Sequence, residues 1–163
     1  MKIEQLKQIE DIRGSTTFLA YDRDKPYLVL SLSHKNVLRG LHFQTKPWAH
    51  KKIFLLTGSI YDVMVDLKSS SISWEAEIIH APAVIDCPSG YAHGYVTLSE
   101  KMSLIYNFTP YWDWDSTYTL AWNDPELNIP WNDYSDIDKL IISKRDMNGH
   151  SLEYIKQIIK GEK

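Results

Sequence analysis

Two histidines stand in settings that could carry chemistry. His42 lies in Leu38-Arg39-Gly40-Leu41-His42-Phe43-Gln44, with an arginine and a glycine close by. His93 comes three residues after Pro88-Ser89-Gly90, a turn that would aim the strand following it. An imidazole, with an ordinary pKa of about 6.5, can take up or release a proton near neutrality. Asp62 alternates with Ile60 and Met64, on a strand face that should point inward. A carboxylate there needs a partner, and His93 is the candidate. A metal centre needs three or four clustered ligands. His42 and His93 supply two, and His50 sits beside Lys51 and Lys52, whose charge opposes a cation. No metal is expected.

The elements that must position these groups read mostly as strands. Lys52 to Leu56 is short and apolar, Thr57-Gly58-Ser59 turns, and Ile60 to Leu67 alternates in steps of two, placing Tyr61, Val63, Val65 and Leu67 opposite Ile60, Asp62, Met64 and Asp66. Ile72 to His80, Ala83 to Cys87, Tyr91 to Leu98, Met102 to Phe108 and, upstream, Pro26 to Leu32 continue the pattern. Short strands with turn signals every 8–12 residues or so predict an all-β sandwich or barrel. One helix is expected, over about 150–161, with Leu152, Ile155, Ile158 and Ile159 on one face and Asn148 to Ser151 as its cap. Residues 123–140 read as an irregular, polar surface excursion.

Composition narrows the function. The chain has 163 residues, 18 basic and 21 acidic, a net charge of −3, so a basic nucleic-acid surface is not expected. The N-terminal run MKIEQLKQIEDIRG scatters its charges, unlike a secretory signal, and no apolar run reaches the roughly 18–20 residues of a membrane span. The lone Cys87 has no internal disulfide partner. These features point to a cytoplasmic protein of one domain, 1–163, with its core at 11–147.

Seven pieces occur in order: Arg-Gly-Leu-His-Phe-Gln (39–44), a lysine ten residues past that histidine (Lys52), Tyr-Asp-Val-Met-Val-Asp-Leu (61–67), Pro-Ser-Gly-Tyr-Ala-His-Gly-Tyr (88–95), Leu-Ile-Tyr (104–106), Trp-Asn-Asp-Pro (122–125) and Ser-Lys-Arg-Asp (143–146). Together they resemble the dTDP-4-dehydrorhamnose 3,5-epimerase family over about residues 11–147. The resemblance implies a cupin-type double-stranded β-helix, or jelly-roll barrel, and a homodimer that shares strands. It implies inversion at C3, C5 or both of a nucleotide-linked 4-keto-6-deoxy sugar, with no cofactor.

In that chemistry the C4 ketone acidifies the neighbouring C–H bonds, a base removes one proton, and an acid returns one to the opposite face of the enolate. The resemblance gives the base to His42, its orienting carboxylate to Asp146, the acid to Tyr106 and the group near the enolate oxygen to Lys52. It gives Arg13 and Arg39 to the diphosphate and Trp112 to the nucleotide; Gln44, Asp62 and His93 are further substrate-binding candidates.

The base-reading positions depart from the family. Where it usually carries a phenylalanine and then a glutamate after Arg13-Gly14, the run is Ser15-Thr16-Thr17-Phe18. Where it usually carries Gln and Asn, Tyr27, Leu28 and Val29 stand. A GDP-linked sugar, a 3,4-ketoisomerase and a sugar-nucleotide-binding cupin without turnover therefore remain alternatives.

Overall fold

The computed structural model describes residues 3–69, 71 and 73–161. The strands are β1 (Lys7–Asp11), β2 (Gly14–Asp22), β3 (Lys25–His34), β4 (Val37–Gln44), β5 (His50–Thr57) and β6 (Ser59–Asp66). They continue as β7 (Ser73–His80), β8 (Ala83–Cys87), β9 (Tyr91–Thr97), β10 (Lys101–Thr109), β11 (Thr117–Thr119) and β12 (Ile141–Ile142). Two helices follow, α1 (Lys144–Met147) and α2 (Leu152–Gly161). One sheet runs β1-β2-β3-β10-β5-β8 and the other β11-β4-β9-β6-β7, with β12 beside β4. The two pack face to face as a jelly roll of the cupin type.

Alternation explains the layers. Ile53, Leu55, Met102 and Leu104 from the first sheet meet Ile60 and Tyr95 from the second in one buried cluster. The opposite face of β6, Tyr61, Val63 and Val65, is equally buried, together with Leu38, Phe43 and Val96. That outer face is covered by the C-terminal third of the chain, through Leu120, Leu127, Ile129, Trp131, Leu152 and Ile155.

This corrects the expectation for residues 123–140. The segment is irregular, with short 3-10 turns at Trp131–Asp133 and Ile137–Lys139, but it is a strap over the second sheet. Leu127, Ile129 and Trp131, two residues apart through a turn and irregular chain, face inward, leaving Trp131 2% exposed. The indole of Trp131 donates to the Trp122 carbonyl at 2.7 Å, and the indole of Trp74 donates to the Leu127 carbonyl at 2.7 Å. The strap also holds the last helix: the buried Asp124 carboxylate accepts from the Leu152 N–H at 2.8 Å. Helix α2 begins at Leu152, two residues later than expected, and Ile72 lies outside the described residues.

Strands β2 and β4 were not among the expected ones. In β4 nearly every residue is buried, on both faces and with charged and polar groups inward, so the alternation that marks a half-exposed strand is missing.

Trp131→Ala removes an indole that both packs and bonds the strap. It should destabilise the protein by about 3–5 kcal/mol, read as a lower midpoint in urea unfolding.

Candidate active site

The chamber is shaped by two facing glycines. Gly40 adopts φ +134°, and a Cβ there would run into the Gly94 backbone. A side chain on Gly94 would meet the Gly40 backbone in turn. Their absence lets β4 and β9 approach closely, and the pairing slips between Arg39 and His42. Such a slip re-aims side chains. Here it pairs His42 with His93 and Arg39 with Tyr95 across the two strands.

The result is a cavity of about 410 Å³ between the sheets, within the usual range of about 300–1,000 Å³ for small-molecule sites. His42, Lys51, His93 and Tyr106 line it, with Arg13 and Arg39 on one side. Phe18, Phe108, Trp112 and Trp114 form an apolar end. Trp112 stacks on Phe108 at 5.7 Å and on Phe18 at 6.0 Å, and Trp114 lies 4.1 Å from it by ring centroids.

His42 and Asp146, 104 residues apart, meet at 2.7 Å between Nε2 and Oδ1. Asp146 is 1% exposed. Its other oxygen takes Arg13 at 3.3 Å, and the Ser143 hydroxyl caps its backbone N–H at 3.0 Å. Burial opposes its ionisation, but His42 and Arg13 outweigh that and hold the carboxyl below the usual carboxylate range. Burial also lowers the pKa of His42, more than the Asp146 charge and hydrogen bond raise it. A neutral imidazole held by an anion can accept a proton and be stabilised once charged.

The lysine requires a correction. Lys52 is exposed, stands opposite Asp86 in the register of the neighbouring strand and is not among the residues lining the chamber. Lys51 is 5% exposed, lines the chamber, and donates to the His42 carbonyl at 2.6 Å. Every residue from Ile53 to Leu56 is apolar, so alternation could not tell the two faces of β5 apart. Burial lowers the pKa of Lys51, against the attraction of Cys87 and Asp62.

Tyr106 meets the His93 ring edge-on at 6.3 Å, and burial raises its phenol well above the ordinary value of 10. His93 bonds Asp62 at 2.7 Å, both nearly fully buried. Asp62 itself is not on the chamber wall. It stands behind His93, beside a second cavity with Glu75 and Glu77, which removes it from direct substrate contact. Gln44 reaches the chamber, but its amide is engaged elsewhere. It donates to the Pro47 and Tyr111 carbonyls at 2.8 and 3.1 Å and accepts from Asp113 N–H at 2.7 Å, which fixes the loop carrying Trp112. Arg13 is tied to Asp11 at 2.7 Å as well as to Asp146. Arg39 donates to Ser33 Oγ at 2.9 Å and to the Leu32 carbonyl at 3.1 Å.

Four groups were missed. Ser143 was legible as a cap, three residues before Asp146 in Ser-Lys-Arg-Asp. Trp114, and Arg145 placed over it at 5.4 Å, carried no spacing signal, nor did Lys51. Among the described residues no group of three His, Cys, Asp or Glu side chains could hold a metal.

The dTDP-4-dehydrorhamnose 3,5-epimerase family model matches residues 7–154. The chain is 36% identical over 124 residues to a dTDP-4-dehydrorhamnose 3,5-epimerase of Pseudomonas aeruginosa, covering 73% of this chain and 67% of that one. It thus spans about two thirds of that relative's length. A crystal structure of dTDP-6-deoxy-D-glucose-3,5-epimerase from Legionella pneumophila, in complex with dTDP-4-keto-L-rhamnose, superposes with a TM-score of 0.74. That pair is 27% identical, over 98% of this chain and 94% of that one. The dTDP-4-dehydrorhamnose 3,5-epimerase of Bacillus anthracis, with TDP and PPi bound, gives a TM-score of 0.70 at 30% identity, over 91% of each chain.

The His42 imidazole should titrate below 6.5, and Asp146→Asn should lower its midpoint further, because the carboxylate favours the charged ring. NMR of the His42 ring proton measures both; a midpoint at or above 6.5, or an upward move in the variant, contradicts the electrostatic account.

Proposed function

The chain belongs to the dTDP-4-dehydrorhamnose 3,5-epimerase family, and from that premise we propose that it inverts C3, C5 or both of a dTDP-linked 4-keto-6-deoxy sugar through an enolate. The observation that carries this reading is the His42–Asp146 contact at 2.7 Å on the wall of a chamber that Tyr106 and Lys51 also line.

In this reading His42 removes the proton beside the ketone and Asp146 stabilises the imidazolium that forms. The Lys51 ammonium faces the developing enolate oxygen, in the part first given to Lys52. Tyr106 protonates the carbon from the opposite side. Its high pKa keeps the phenol protonated at neutral pH, as a general acid must be. Arg13 and Arg39 supply positive charge for the diphosphate, and the Trp112–Trp114 ledge offers a flat surface for a base. The carbonyl already present in the substrate makes the α-protons acidic, so the reaction needs no redox cofactor.

The homodimer belongs to the same reading. Among the described residues no layer covers the outer face of the first sheet, unlike that of the second. Leu30, Ile105, Phe54 and Val84 are in register across β3, β10, β5 and β8. Leu32, Leu56 and Val84 are 40%, 46% and 57% exposed, an apolar surface of the kind that self-association buries. Light scattering should give twice the chain mass of 19.0 kDa; a value of one chain mass removes the dimer. A cytoplasmic setting fits the buried, unpaired Cys87. Among the described residues no helix is long and apolar enough to cross a membrane.

Incubated in D₂O with dTDP-4-keto-6-deoxyglucose, the protein should place deuterium at C3 or C5, read by NMR. Lys51→Ala should slow this by about 10²–10³-fold, as loss of one oxyanion-stabilising donor does, while Lys52→Ala stays near the native rate. No incorporation by the native protein sinks the epimerase reading, and the reverse ranking of the two variants sinks the lysine assignment.

A further inference from the structure

The apolar end of the chamber offers a ligand faces rather than edges. Phe18 on β2 and Val29 on β3 are in register, and both line the chamber together with Phe108, Trp112 and Trp114. Trp114 is the open member of the group, 49% exposed. The Arg145 guanidinium lies over its ring at 5.4 Å and extends the flat surface.

The polar groups around this end are already committed. Gln44 spends its amide hydrogens on the Pro47 and Tyr111 carbonyls and its oxygen on the Asp113 N–H. The Thr117 hydroxyl accepts from the Trp112 indole at 3.0 Å and donates to the Asp113 carbonyl. The Asp113 carboxylate holds Lys25 at 2.7 Å. Two carboxylates line the chamber. Asp11 is taken by Arg13, and Asp146 by His42 and Arg13. Among the described residues, the chamber wall therefore carries no uncommitted carboxylate or amide.

That decides what the site can distinguish. The N–H groups of a base are read by a carboxylate or amide oxygen, and a lysine or guanidinium only donates. Every base carries acceptors, so Lys144, on the chamber wall, finds one on any of them. The Thr16 hydroxyl, also on the wall, donates or accepts as the base requires. Arg145 Nη2 donates to the Thr117 carbonyl at 2.7 Å, and its plane lies on Trp114, so it is not set for the two-pronged edge contact that selects guanine. Stacking is equally indifferent, because every base has a π-face. With Trp114 half exposed, the ledge continues to solvent, and the second ring of a purine needs no core to move.

We infer that the chamber holds the base by its faces and does not read its edge, so that the protein accepts pyrimidine and purine nucleoside diphosphate sugars nearly alike. This rests on the epimerase reading for the sugar and widens the substrate class named there.

Calorimetric titration with dTDP, UDP, ADP and GDP tests it without turnover. Their dissociation constants should fall within about tenfold of one another, against the roughly 10⁴–10⁵-fold discrimination of a site that hydrogen-bonds a distinguishing group. A wider spread means that an edge is read and overturns the inference, as does failure of all four to bind. Ribose 5-diphosphate, which lacks a base, should bind about tenfold or more weakly, as loss of one stacked base predicts; equal binding shows that the base is not held. Trp112→Ala should weaken all four nucleotides by a common factor of about ten. Trp114→Ala, at an exposed position where folding is not at stake, should do the same, and loss for one nucleotide alone counts against the inference. In D₂O, UDP-4-keto-6-deoxyglucose should be labelled within about tenfold of the rate of its dTDP counterpart. Label in the dTDP sugar alone overturns base tolerance and leaves the epimerase reading standing. Even binding of the four nucleotides with no label in either sugar sinks the epimerase reading and leaves base tolerance standing.

Discussion

A carboxylate shut away from water has to be compensated, and the compensation of Asp146 organises the site. Its two oxygens reach His42 on β4 and Arg13 near the N-terminus, and its backbone is capped by Ser143 at the head of α1. Three distant parts of the chain thus meet at one 1%-exposed group. Removing any of them leaves the charge less well paired, which is expensive in a low-dielectric interior. The same contact gives His42 its orientation, so the fold and the proposed proton chemistry share a single requirement.

The rest of the architecture serves to bring that group into place. The strap over the second sheet carries the chain from β11 across Leu127 and Trp131 to β12, which lies parallel to β4. β12 then delivers α1 beside the chamber. The two glycines at 40 and 94 act at the other end of the contact, letting β4 and β9 close up so that the bulge turns His42 inward.

Much of this was legible in the residues, for reasons that can be named. The alternation in β6 was clear because its two faces carry different residues, and Asp62 among Ile60 and Met64 demanded the partner that His93 provides at 2.7 Å. The ordered motifs linked His42 to Asp146 although nothing local joins them. The reading failed where chemistry along the chain is uniform. His50-Lys51-Lys52 offers two adjacent lysines ahead of a wholly apolar run, and only the pairing of β5 with β8 and β10 decides which one turns inward. It also failed where polarity misled. Residues 123–140 hold many Asp and Asn side chains, yet Leu127, Ile129 and Trp131 turn to one side and join the cover over a sheet.

The order in which the parts occur along the chain has a consequence for biosynthesis. The imidazole at position 42 leaves the ribosome long before its carboxylate at position 146, which follows the strap and β12 that deliver it. A nascent chain can therefore assemble most of its strands while the proposed proton-handling pair is still incomplete. Newly made protein lacks the proposed proton-handling pair until Asp146 has emerged and docked against His42 and Arg13, and a premature stop ahead of that residue would remove the pair.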